Sequence, residues 1–71
     1  MSVSGNTVMS KLTRRQREVV RLLASGHSQV RIAQEMNVSV NTVYKHVRDA
    51  KMRAESRSTI ELVSRAVAAA S

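Results

Sequence analysis

Four residues suited to capping a helix, Thr13, Ser28, Ser39 and Ser58, cut the chain into helix-length segments, and this punctuation constrains the fold most. A capping residue lends its side-chain oxygen to the free N–H groups of a helix's first turn. Thr13 with Gln16, and Ser58 with Glu61, have the S/T-x-x-E/Q spacing of a capping box. A first helix is therefore predicted from Arg14. Gly26 ends it near Ala24 or Ser25, where a left-handed residue is wanted. Ser28 opens a short second helix, "QVRIAQEM". It closes at Asn37, since asparagine tolerates left-handed backbone best after glycine. Ser39 opens a third helix that runs into the low fifties, and Ser58 a fourth, "TIELVSRAVAAA". Residues 1–11, "MSVSGNTVMSK", read as a mobile tail, which leaves 12–71 as the folded domain.

Composition agrees with helices. There is no proline, and Tyr44 is the single aromatic residue, so a sandwich or barrel rich in turns and aromatics is disfavoured. The expectation is an all-α, compact four-helix domain. At 71 residues its core is only marginally stable alone. With no cysteine there is no disulfide and no thiolate zinc site, which fits a cytoplasmic setting. On helical wheels Val19, Val20, Leu22 and Leu23 share one face of the first helix, and Ile32, Ala33 and Met36 one face of the second. In the third helix Val40, Val43, Val47, Ala50 and Ala54 fall within an arc of about 80°. Beside that arc stand Lys51, Tyr44, Arg48, Asn41, Met52 and Lys45, a basic and polar sector.

The formal net charge is +7, from 12 Lys and Arg against 5 Asp and Glu, and it points to a polyanionic partner. A short helix, a turn and a longer helix with a basic outer face make a helix-turn-helix, here the second and third predicted helices. Such a helix fits the major groove, where each base pair shows a distinct donor and acceptor pattern. Lys45 and Arg48 can donate to guanine, Asn41 can bond adenine or a phosphate, and Tyr44 can touch a thymine methyl or a phosphate. Arg14, Arg17, Arg21, Lys51 and Arg53 are candidates for phosphate attraction, with Arg31, Ser28 and Gln29 near the start of the second helix. The plainer alternatives are that the basic face is merely solvated and that Tyr44 finishes the core.

The string "LTRRQREVVRLLASGHSQVRIAQEMNVSVNTVYKHV", residues 12–47, resembles the LuxR/FixJ-type (GerE-like) DNA-binding domain of bacterial transcription regulators. The shared elements are "LT", "REVVRLLASG", "IA", "VS", "TV" and "HV". The resemblance implies a compact four-helix domain whose third helix reads the major groove. It places Tyr44, Lys45 and Arg48 on bases, Ser39 and Thr42 near phosphates, and a dimer contact on the last helix. The chain departs from the family at Gln16, where glutamate is usual, and at Val30 and Arg31, where Lys-Glu is usual. It departs again at "RAES", where a "KLG" run is usual, and at Lys51 and Ala54, which replace larger apolar residues.

On the last helix Ile60, Val63, Val67 and Ala70 form one apolar stripe, and Leu62, Ala66 and Ala69 a second. Together they exceed the roughly 100° that burial on one side needs. The first stripe is the expected homodimer contact. Double-stranded DNA is the expected partner. A sigma-factor-like promoter reader, a small module pairing with a larger regulator, and a membrane-surface helix are the competing readings. The last is disfavoured because the basic face lacks large aromatic anchors. No catalytic set, glycine-rich phosphate loop or carboxylate pair is recognisable. His27 and His46 lack ligand-spaced company. No enzyme, cofactor, metal, small-molecule ligand or membrane span is therefore expected.

Overall fold

The computed structural model describes residues 7–70, and the side chains of residues 8–68. The described residues form five helices and no strand: α1 (Thr7–Ser10), α2 (Arg14–Ala24), α3 (Gln29–Met36), α4 (Val40–Ala54) and α5 (Thr59–Ala70). The fold is all-α as expected, and α2 to α5 match the four predicted helices. Among the described residues no helix is long and apolar enough to cross a membrane.

The capping residues act as the sequence suggests. Thr13 is extended (φ −71°, ψ 167°), its Oγ1 accepts from the Gln16 N–H at 3.2 Å, and Gln16 Oε1 accepts from the Thr13 N–H at 3.0 Å. Ser28 and Ser39 cap α3 and α4, each accepting at 3.1 Å from the N–H three residues on, Arg31 and Thr42. Ser58 Oγ accepts from the Glu61 N–H at 3.0 Å. The reciprocal half of that predicted box is shifted: the Glu61 carboxylate accepts from the Arg57 N–H, one residue before the cap.

Three helices end in one geometry. The N–H two or three residues past the helix reaches back five residues, from His27 to Leu22 O (3.1 Å), Val38 to Ala33 O (3.0 Å) and Ser56 to Lys51 O (2.8 Å). Each ending needs one left-handed residue, filled by Gly26 (φ 97°), Asn37 (φ 59°) and Glu55 (φ 57°). Glutamate has no short side chain to offset the Cβ clash of that region, which costs roughly 1–2 kcal/mol. Glycine there relieves the clash but loosens the unfolded chain. Glu55→Gly is therefore expected to raise stability by about 1 kcal/mol, read by urea melts. No change, or a loss, would contradict the strain.

The core has two parts. Val19, Ile32, Ala33, Met36, Val43 and Val47 pack where α2, α3 and α4 meet. Val8, Leu12, Val20, Ala50, Ala54, Leu62 and Ala66 pack where α1, α2, α4 and α5 meet. Adjacent residues Val19 and Val20, both fully buried, divide between them, as do the two halves of α4. α2 thus lies across α4, with α3 on one side and α5 on the other. On α5, Leu62 and Ala66 face this core while Ile60 (78% exposed) and Val67 (46%) face outward.

The stretch read as a mobile tail requires correction over residues 7–11. Val8 on α1 is buried in the second cluster, and Met9 packs against it. Two arginines hold the chain that follows. Arg17 Nη1 donates to Met9 O (3.4 Å) and Leu12 O (3.2 Å), and Arg53 Nε donates to Lys11 O (2.8 Å). A four-residue helix is too short to show a hydrophobic period, and its partners come from helices far along the chain. Residues 1–6 of the same predicted tail lie outside the described residues. A third arginine acts alike: Arg65 Nη1 donates to Ala54 O (2.8 Å) and Ser56 Oγ (2.9 Å), tying α5 to the end of α4.

Candidate nucleic-acid interface

α3, the turn at Asn37 and α4 form the helix-turn-helix unit. Val43 and Val47 bury completely or nearly so, and with Ala50 and Ala54 they pin one side of α4 to the core. The opposite side must then face solvent. Asn41, Lys45 and Arg48 stand there, spaced four and three residues apart, and all are exposed. Tyr44, at the margin of the buried arc, is 50% exposed, so it is not a core residue. Lys51 lies on the same flank and is half-buried.

Arg48 Nε sits 3.7 Å from Asp49 Oδ1, with its side chain 67% exposed. A pair this wet contributes little, so the guanidinium can leave it for a better acceptor at small cost. Lys45 has no carboxylate within ion-pair distance among the described residues. Met52, 71% exposed, continues the Asn41–Lys45–Arg48 row by one more turn. The wheel placed it in this sector, yet nothing in an unbranched apolar side chain marked it as a contact.

The cap hydroxyls lie at the helix starts, where the dipole favours an anion. Ser39 Oγ and Thr42 Oγ1 share a hydrogen bond of 2.9 Å; whichever donates, the other keeps a proton for an outside acceptor. Ser28 is exposed at the start of α3, and Gln29 beside it is half-buried. Arg31 is exposed and pairs with Glu35 at 3.1 Å across one helical turn. Glu35 thus partly offsets the positive charge that Arg31 brings to this helix start.

Arg17, one of the predicted phosphate contacts, also holds the chain that precedes α2. Its guanidinium is half-buried on the carbonyls of Met9 and Leu12, which a tertiary arrangement alone could reveal. Arg53 is similarly occupied on Lys11 O. Arg14 and Arg21 are exposed, but they stand on the side of α2 opposite Val19 and Val20. Since α2 and α4 face each other through the core, these two arginines lie on the far side of the domain from Lys45 and Arg48. The predicted dimer residues also separate clearly: Ile60 and Val67 are exposed and Val63 half-buried, while the Ala70 side chain lies outside the described residues.

No curated protein and no solved structure matches this chain. The GerE family model, described as bacterial regulatory proteins of the luxR family, matches residues 10–66, from the end of α1 through most of α5. That span covers the whole helix-turn-helix and every residue of both core clusters except Val8, so the chain belongs to the luxR family of bacterial regulatory proteins, as a domain that binds DNA in transcription regulation.

Proposed function

We propose that the protein recognises a specific double-stranded DNA sequence with α4 in the major groove. The observation that carries this reading is the row Asn41, Lys45 and Arg48, exposed along α4 directly behind its buried valines. A helix with side chains is about 10–12 Å across, close to the roughly 12 Å major groove. Lys45 and Arg48 donate to guanine edges, Asn41 bonds adenine, and Tyr44 meets a thymine methyl or a phosphate. Ser39, Thr42, Ser28, Gln29, Arg31 and Lys51 line the backbone and set register. Repeated selection of bound duplexes from a random pool tests this. A recovered consensus supports it, and a pool that stays random defeats it.

Dimerisation through α5 belongs to the same reading. Ile60, Val63 and Val67 are spaced three and four residues apart and leave an apolar stripe in water. Ala70 extends the stripe in sequence. A two-fold axis at this stripe would present two α4 helices to half-sites about one helical turn, roughly 34–36 Å, apart. Sedimentation is expected to find a dimer for the native chain and a monomer for Val63→Asp. A monomer in both cases removes the interface.

A further inference from the structure

The positive charge of this domain is not gathered on one face. α2 carries Arg14, Arg15, Arg17 and Arg21 against Glu18, a formal +3. α4 carries Lys45, Arg48, Lys51 and Arg53 against Asp49, also +3. The remaining +1 of the total +7 is spread over the rest of the chain.

The two helices turn these charges in opposite directions. Val19 and Val20 of α2 face Val43, Val47, Ala50 and Ala54 of α4 across the core. The row Arg14, Glu18 and Arg21 therefore points away from the row Asn41, Lys45 and Arg48. Packed helix axes stand about 8–10 Å apart and each helix adds a radius of roughly 5–6 Å, so about 20 Å of protein separates the two outer faces. The screening length at physiological salt is about 8 Å. A duplex held by α4 gains almost nothing from the arginines of α2.

Helix stability calls for only one of them, Arg21, which lies in the last turn where the dipole favours a cation. Arg14, Arg15 and Arg17 occupy the first turn of α2, which has no acidic residue and where the helix dipole disfavours cations. Arg17 is accounted for by its carbonyl partners, and Arg15 pairs with Glu18 at 3.5 Å. Arg14 and Arg21 have no carboxylate within ion-pair distance among the described residues. They are seven residues apart, which places them about 10 Å apart along the helix, close to the width of a DNA groove. The face holds no exposed large apolar side chain, the kind of anchor that protein interfaces are built around.

We propose that this outer face of α2 binds the phosphate backbone of a second DNA duplex, so that one domain bridges two duplexes. The inference rests on α4 holding the first duplex, as proposed above. Contact on the second is independent of sequence, because Arg14 and Arg21 meet phosphates while Glu18 between them is paired with Arg15 at 3.5 Å.

A capture experiment tests it at low salt. A short biotinylated duplex on beads is loaded with the full chain and washed, and a fluorescent duplex of unrelated sequence is added. The native chain should retain the second duplex. Arg14→Gln/Arg21→Gln should retain about a tenth as much, and Arg14→Lys/Arg21→Lys should restore it, because charge alone carries the contact. Solution anisotropy at physiological salt should find the first-duplex affinity of the Gln variant within about twofold of native, and circular dichroism should find its fold intact. Failure of the native chain to capture a second duplex overturns the proposal, as does equal capture by the Gln variant. So does an equal loss of first-duplex affinity, which would put α2 in the primary contact. Displacement of the fluorescent duplex by polyglutamate at far lower charge equivalents overturns it too, giving the face to an acidic protein. Lys45→Ala/Arg48→Ala is the separate control. If it binds the first duplex like the native chain, the α4 reading itself has failed, whatever α2 does.

Discussion

Leu62→Ala is expected to leave much of the chain unfolded at room temperature. Leu62 is fully buried and is among the largest side chains of the cluster joining α1, α2, α4 and α5. Three of its six cluster partners are Ala50, Ala54 and Ala66. Alanines have no side-chain torsion to swing into a vacated space, so the cavity cannot collapse. The cost should fall in the upper half of the usual range of about 2–5 kcal/mol. A domain this size has only about 3–5 kcal/mol in total. The loss should lower the melting temperature by more than about 10 °C, followed by far-UV circular dichroism. A loss below about 1 kcal/mol would mean that α5 is not packed as described.

The second large effect concerns DNA. Lys45→Ala and Arg48→Ala should each weaken binding to the selected sequence by about 1–3 kcal/mol, or roughly 5- to 150-fold, and each should relax one base position. Both residues are exposed, so the melting curve should scarcely move. Arg17→Ala is expected to do the reverse. It leaves base preference alone and costs about 1 kcal/mol of stability through the lost contacts to Met9 O and Leu12 O. Retention of full affinity by the Lys45 and Arg48 variants would remove α4 from the groove.

Most of this architecture can be read along the chain, because local chemistry dictates it. Thr13, Ser28, Ser39 and Ser58 mark helix starts through oxygens that reach only three residues on, and Gly26 and Asn37 mark ends through tolerance of positive φ. The valine arc of α4 fixes which side is buried and, by opposition, which side can touch a duplex. What escapes the sequence is tertiary. The burial of Val8 depends on a pocket built from three other helices, and four residues carry no period to announce it. Arg17, Arg53 and Arg65 look like free charges until distant carbonyls appear beside them. Glu55 gives no local sign of the left-handed backbone found there.

The sharing of α4 between both halves of the core has an evolutionary consequence. Its inner residues hold two sets of partners at once, so they have little freedom to drift. New operator preferences can then arise almost solely through the outer row at Asn41, Lys45, Arg48 and Met52. Lineages diverging in target genes should vary along that single strip while the valines behind it stand still.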